Sequence, residues 1–374
     1  MATRMSSSRP ARPLRVLQVT ARAAPLVGGV ETHVAEVSRR LLARGLDVHV
    51  LTTDTTGQLP RRDETDGVPV ERVPAYPREA DWRFAPGIAS RVANGGWDVV
   101  HVQCYHTLVP PIAMAAAARS RTPYVLTFHG GGHSSGFRSG IRGLQLRAQR
   151  PLLMRAAALV AIARFEIAHY GRLVGLPADH FVVIPNGADV PDLPEDVERP
   201  SHGPLIVSVG RLERYKGHER LIAALPAVRR EFPDAHVWIA GNGTDAERLA
   251  ALAAALGVAD AVEIGGADRE VLLARLTGAD LAVLLSDFET QPIAVLEAAS
   301  LGVPMLVADN SGMTEMAENG LATAVPADAG PEAHARAIVA QLRDPLRPPA
   351  VTLPSWDGCA DGLVDLYERV ARRA

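Results

Sequence analysis

Residues 14–45, L-R-V-L-Q-V-T-A-R-A-A-P-L-V-G-G-V-E-T-H-V-A-E-V-S-R-R-L-L-A-R-G, decide the fold class. The stretch opens on a short apolar run at 14–20, passes through a loop that ends in Gly28 and Gly29, and continues into a helix-length segment at 30–44. A strand that feeds a helix in this way is the repeating unit of a parallel sheet covered on both faces. The alternation carries on outward from this unit, with further strands expected at 48–52, 98–102, 124–128, 159–163 and 181–184. It stops at 190–204, where four prolines and several acidic residues follow neither the helical nor the strand period, as expected of a linker. Beyond Pro204 it restarts, with strands expected at 205–209, 236–240, 261–264, 281–285, 304–308 and 323–325 and helices at 217–230, 245–256, 269–278 and 293–301.

The fold class is therefore α/β, with two doubly wound domains of similar size facing a central cleft. Residues 1–13 are expected to form a disordered leader, 14–189 the N-terminal domain, 190–204 the linker and 205–354 the C-terminal domain. Residues 355–374 form a last helix that is free to pack back on the N-terminal domain. A length of 374 residues accommodates two domains with a core in each. With 47% hydrophobic and 22% charged residues, disorder along the whole chain is excluded. The formal net charge of -3 provides no basic field for a nucleic-acid backbone, so no nucleic-acid partner is expected. Two cysteines, Cys104 and Cys359, without metal-ligand spacing indicate neither a disulfide framework nor a structural zinc, and fit a reducing cytoplasm. No apolar run reaches the roughly 18 residues of a membrane span.

Ligands of open α/β sheets bind at the carboxyl ends of the strands, and four such ends carry chemistry. Gly28 and Gly29 precede a helix N-terminus, where free N–H groups and the dipole suit a phosphate. His129 stands after the strand at 124–128 in F-H-G-G-G-H, placed to donate to a sugar hydroxyl or to carry a proton. Arg211 and Lys216 follow the strand at 205–209 in V-G-R-L-E-R-Y-K-G, two cations able to hold a diphosphate and neutralise it as it leaves. Lys216 is the single lysine among 39 basic residues, in a chain that otherwise uses arginine. Glu289 and Glu297, eight residues apart in E-T-Q-P-I-A-V-L-E, follow the strand at 281–285. Glu297 lies in an apolar helical run and needs a partner, either ribose hydroxyls or an ion pair.

G-G-V-E-T-H, T-F-H-G, I-P-N-G-A-D, V-G-R-L-x-x-x-K-G and E-x7-E followed by A-A-S-L-G-V-P occur in that order. Together they resemble the retaining glycosyltransferases of family 4, which have the GT-B fold, over residues 14–366. The resemblance implies sugar transfer from a UDP- or GDP-linked donor to a hydroxyl acceptor, with retention at the anomeric carbon and no metal or other cofactor. It assigns Gly28 and Gly29 to the diphosphate loop and His129 to the reacting sugar. By the same carry-over Arg211 and Lys216 bind the diphosphate, Glu289 the sugar hydroxyls and Glu297 the ribose. The absence of D-x-D from the chain fits cations in place of a metal. Where many members have E-G-F-G, this chain has Thr290, Gln291, Pro292 and Ile293 after Glu289, which implies an altered donor-sugar pocket.

Two other classes share such a fold: a sugar-nucleotide 2-epimerase or hydrolase, and a noncatalytic nucleotide-sugar-binding homologue. The first needs extra acidic residues for proton abstraction, and the second is disfavoured by the intact Arg211, Lys216, Glu289 and Glu297. Acceptor recognition is expected in first-domain loops after Thr52, Gln103 and His129 and in the segment 136–155. That segment places Arg138, Arg142, Arg147, Arg150 and Arg155 beside Ile141, Leu144, Leu152 and Leu153. It reads either as a weak peripheral contact with the inner face of the membrane or as an ordinary surface helix.

Overall fold

The computed structural model describes residues 12–26, 28–54, 56–77, 83–130, 143–188, 203–349 and 354–373. The leader up to residue 11, most of the expected linker, His133 and the first part of the segment 136–155 lie outside the described residues.

The first sheet is built from β1 (Arg15–Val19), β2 (Asp47–Asp54), β3 (Arg62–Thr65), β4 (Val68–Pro74), β5 (Val99–Gln103), β6 (Tyr124–Thr127), β7 (Ala158–Ala161) and β8 (Phe181–Val183). Their order is 3-4-2-1-5-6-7-8, with β1 paired in parallel to β2 on one side and β5 on the other. The direction of winding therefore reverses at β1, and α1 (Gly29–Ala43) starts above this switch point. Helices α2 (Gly87–Asn94), α3 (Val109–Ser120) and α4 (Arg164–Val174) complete the crossovers.

The second sheet contains β9 (Leu205–Val209), β10 (His236–Ala240), β11 (Val262–Ile264), β12 (Leu281–Leu284), β13 (Met305–Ala308) and β14 (Thr323–Val325) in the order 11-10-9-12-13-14. Its reversal lies at β9, which pairs in parallel with β10 and β12. Around it pack α5 (His218–Glu231), α6 (Ala246–Ala255), α7 (Arg269–Thr277), α8 (Ile293–Ser300), α9 (Ser311–Glu318) and α10 (Pro331–Arg343).

One departure from the all-parallel expectation is the antiparallel hairpin of β3 and β4. Asp66 and Gly67 turn it with φ of 51° and 79°, the left-handed pair that a tight hairpin turn requires. β3 reads R-D-E-T and is largely exposed, so it has no apolar run to announce it.

Both faces of the first sheet are filled. One packs Val102, Leu126, Phe128 and Met114; the other packs Val16, Val48, Val34 and Leu41. The second face is completed by α11 (Trp356–Arg373), whose Trp356, Cys359, Leu363, Leu366, Tyr367 and Val370 repeat at the helical period and join that core. The last helix thus returns to the first domain. Its return runs beside the outgoing chain: the Ala188 N–H donates to the Pro354 carbonyl at 2.9 Å. A Cβ at Gly187 would lie 2.1 Å from the Trp356 nitrogen, so only glycine permits this approach. Among the described residues no helix is long and apolar enough to cross a membrane.

Candidate active site

On the first domain the site begins where β1 hands over to α1. Gly28 caps the helix with extended backbone and no side-chain hydrogen bond to the first turn, and around a Cβ at Gly29 there is open space. The helix N-terminus is thus accessible, with its positive end toward the cleft edge of the sheet. Glu31 in the first turn is buried and held by Arg22 at 3.0 Å.

His129 stands two residues beyond the end of β6, with φ of 45°. A left-handed non-glycine residue costs about 1–3 kcal/mol and persists where its surroundings over-determine it. Cys104, at the end of neighbouring β5, and Ser311, across the cleft, have φ of 66° and 48°. Of the five such residues among those described, these three stand at the site, while Asp66 lies in the hairpin turn and Arg121 caps α3. His129 Nε2 is 2.7 Å from Gln103 Oε1, and its ring meets that of His33 edge-on at 4.5 Å between centroids. His33 Nδ1 bonds Asn186 Oδ1 at 2.8 Å, while its buried Nε2 has no hydrogen-bond partner among the described residues. Burial pushes the His33 pKa down to about 4. It pushes His129 well below the ordinary imidazole value, assisted by neighbouring His33, His101 and His106. Burial therefore favours the neutral form of both imidazoles.

The second-domain wall is charged. The turn after β9 brings Lys216 Nζ to 2.5 Å from Glu289 Oε1, and Ser286 Oγ donates to the same oxygen at 2.9 Å. The Glu289 N–H donates to Ser311 Oγ at 2.9 Å. Arg211 is exposed, donates to Glu213 at 2.7 Å and to the Tyr215 hydroxyl at 2.5 Å, and lies with Lys216 around the Tyr215 ring, their charges 5.7 and 5.3 Å from its centroid. Glu297 is buried in α8, where Arg269 pairs with it at 2.7 Å. Burial raises the Glu297 pKa and Arg269 opposes the rise. Of the two partners anticipated for this carboxylate, the structure shows the ion pair.

The residues following Glu289 join the two walls. Thr290 Oγ1 donates to the Gly130 carbonyl, and Gln291 Oε1 accepts the Asn186 N–H at 2.7 Å. Pro292 is buried at the N-cap of α8, and Ile293 opens that helix. A third bond, Phe165 N–H to Glu315 Oε2 at 3.1 Å, ties α4 to α9. At Gly130 an added Cβ would lie 2.6 Å from the Tyr170 hydroxyl and 3.0 Å from Thr290 Oγ1, so the close contact depends on glycine. Beneath it the fully buried Glu166 accepts the Ile162 N–H at 2.7 Å, and burial raises its pKa to about 7 against the backbone donors around it.

Within the described part of the segment 136–155, the apolar side chains are divided between the core and the surface. Leu153 is in the core and Leu144 is exposed, while Arg147 and Arg150 donate to the Leu173 and Val174 carbonyls at 3.3 and 2.9 Å. These two arginines cap the C-terminal end of α4, where orphan carbonyls need donors.

Two family models match the chain: the glycosyl transferase 4-like domain over residues 28–187 and the glycosyl transferases group 1 over residues 189–350. Glycogen synthase of Mycobacterium tuberculosis is 34% identical over 336 residues, covering 82% of this chain and 81% of that protein. GDP-mannose:cellobiosyl-diphosphopolyprenol alpha-mannosyltransferase of Komagataeibacter xylinus is 26% identical over 386 residues, covering 99% and 96%. Among solved structures, sucrose-phosphate synthase from Thermosynechococcus elongatus superposes with a TM-score of 0.74 at 19% identity, covering 96% of this chain and 97% of that one. Anabaena HepE in complex with UDP-glucose superposes with 0.68 at 18% identity, covering 96% and 98%.

Proposed function

The chain belongs to family 4 of the glycosyltransferases and has their GT-B fold, and from that premise we propose a retaining, metal-independent hexosyltransferase using a UDP- or GDP-linked sugar and a hydroxyl acceptor. The observation that carries this reading is the meeting of a charged loop, Lys216–Glu289–Thr290, with the neutral His129–Gly130 strand end. A diphosphate placed against Lys216, Arg211 and the open N-terminus of α1 has its charge balanced by fixed groups. As the glycosidic bond breaks, that charge grows, and a preplaced ammonium stabilises it more than it stabilises the ground state.

The donor sugar then lies between His129 and Glu289. Glu289 is already held by Lys216 and Ser286, so its carboxylate serves as an acceptor for sugar hydroxyls. Glu297 accepts from the ribose by exchanging or sharing Arg269. In this reading the enzyme works in the cytoplasm, in keeping with a chain that has two cysteines and no metal-ligand spacing between them. The names of the relatives suggest the acceptor classes to try: glycogen, inositol 3-phosphate, phosphatidyl-inositol or a polyprenol-linked disaccharide.

The test is incubation of the protein with UDP-glucose or GDP-mannose and each of these acceptors, followed by mass spectrometry. The expected result is an acceptor carrying one added hexosyl group. Epimerised sugar or free nucleotide without such a product points to an epimerase or a hydrolase, and no turnover of any bound donor to a noncatalytic homologue.

A further inference from the structure

Behind His129 an unbroken line of buried polar side chains crosses the first sheet to the last helix. Gln103 Nε2 donates to Gln18 Oε1 at 2.8 Å, and Gln18 Nε2 donates to the Tyr367 hydroxyl at 3.0 Å. That hydroxyl lies 2.5 Å from His101 Nδ1, and His101 Nε2 lies 2.7 Å from Thr127 Oγ1. Gln18, His101, Gln103 and Tyr367 are all 0% exposed. Packing alone asks for no polar groups in the middle of a covered sheet, and each one placed there must be fully paired to avoid a penalty.

The bonds also have a direction. Gln18 gives its amide hydrogen to the Tyr367 hydroxyl, whose oxygen also pairs with His101 Nδ1, while His101 Nε2 pairs with the Thr127 hydroxyl. At the other end, Gln103 spends an amide hydrogen on Gln18 and turns its carbonyl oxygen to His129, an atom that only accepts. His129 must then carry its proton on Nε2. Burial keeps both imidazoles neutral, so each is one donor and one acceptor.

We propose that this line fixes His129 in the Nε2–H tautomer, leaving Nδ1 as an acceptor for a sugar hydroxyl, and that Gln103, Gln18 and Tyr367 are positioning residues for transfer. The proposal rests on the reading that His129 meets the donor sugar. It gives α11 a second role: besides covering the first sheet, the helix supplies the phenol that orients a residue at the cleft.

The experiment is long-range 1H–15N NMR of the histidine-labelled protein, with His129 assigned by comparison with His129→Ala, together with steady-state kinetics using the donor that turns over. Wild type is expected to show His129 protonated on Nε2 alone. Tyr367→Phe is expected to give a mixture of tautomers and to lower kcat about tenfold, with the donor KM little changed. Gln18→Met cuts the same line from β1 and is expected to behave likewise. Val370→Ala, a packing change on the same helix, is expected to lower Tm and leave tautomer and kcat as in wild type. A wild-type His129 protonated on Nδ1, or folded Tyr367→Phe and Gln18→Met proteins with unaltered tautomer and kcat, would overturn the proposal. A fully active His129→Ala would instead bring down the reading on which it rests.

Discussion

On the first-domain wall of the cleft, His33 in the first turns of α1, Gln103 at the end of β5 and His129 after β6 are buried and uncharged; on the second-domain wall, Lys216, Glu289 and Arg211 are charged and reach solvent to different degrees. The first wall is held by a hydrogen-bond pattern that requires neutral imidazoles, the second by ion pairing around Tyr215 and Ser286. The contrast separates two tasks. In the proposed reaction the charged wall serves the leaving diphosphate and the wall of neutral imidazoles serves the sugar.

The largest expected difference between the walls is in acid. Burial lowers His33 to about 4 and His101 to about 3, and lowers His129 as well, all from an ordinary value of 6.5. A depressed histidine contributes stability that is present above pH 6.5 and lost as pH falls toward its folded value, up to about 1.4 kcal/mol per pH unit for each group. Glu166 has the opposite sign: its value is raised from 4.5 to about 7, so its contribution is full below pH 4.5 and lost as pH rises through 7. These three histidines, with His169 also lowered by burial, outweigh one glutamate, and among the described residues of the second domain His218, lowered to about 4, acts on the same side. Hydrogen exchange at pH 7 and pH 5 should therefore show β1, β5 and β6 losing protection ahead of β9 and β12. Glu166→Gln should steepen this acid loss by removing the opposing term.

Next comes Lys216→Ala, which should fold normally and lose about 10²–10³ in turnover, the usual effect of deleting one electrostatic donor to a developing charge. Lys216→Arg should recover only part, because the guanidinium is broader and prefers bidentate geometry. Full activity in Lys216→Ala would remove the functional side of the contrast. Smaller is Glu297→Ala: the loss of charge-assisted bonds of about 1.5–3 kcal/mol should lower affinity for free UDP or GDP by roughly tenfold or more, measured by calorimetry. The smallest effect should be that of Thr290→Val, which removes the hydrogen bond to Gly130 without changing side-chain size. One such bond contributes about 0.5–1.5 kcal/mol, so the donor KM should rise a few-fold with kcat nearly intact.

The apolar runs of β1, β6, β9 and β12 were legible because strands buried on both faces write continuous hydrophobic stretches, and the motifs at their carboxyl ends stand on the cleft edge. The hairpin at 62–74 was not legible, since β3 is polar and exposed at the sheet edge. Helices α9 and α10 escaped as well, and with them Ser311, whose role depends on Glu289 coming beside it. Arg269 as the partner of Glu297, and Tyr367 as the partner of Gln18, are contacts made by the tertiary fold across long stretches of chain. A local trace of the second did exist: Gln18 and Gln103 interrupt the apolar runs R-V-L-Q-V and V-V-H-V-Q, and a polar residue inside a buried strand calls for a partner. Thr290 and Gln291 stood out as departures from the family pattern, but their contacts with Gly130 and Asn186 become visible only when the two domains are in place.

The central claim is retaining transfer supported by cationic side chains and not by a metal ion. It is tested most directly by running the reaction in excess EDTA with the donor and acceptor that turn over, and reading the anomeric proton of the product by NMR. The account predicts undiminished turnover and an anomeric configuration matching that of the donor; an inverted product, or activity lost in EDTA and restored by magnesium or manganese, would contradict it.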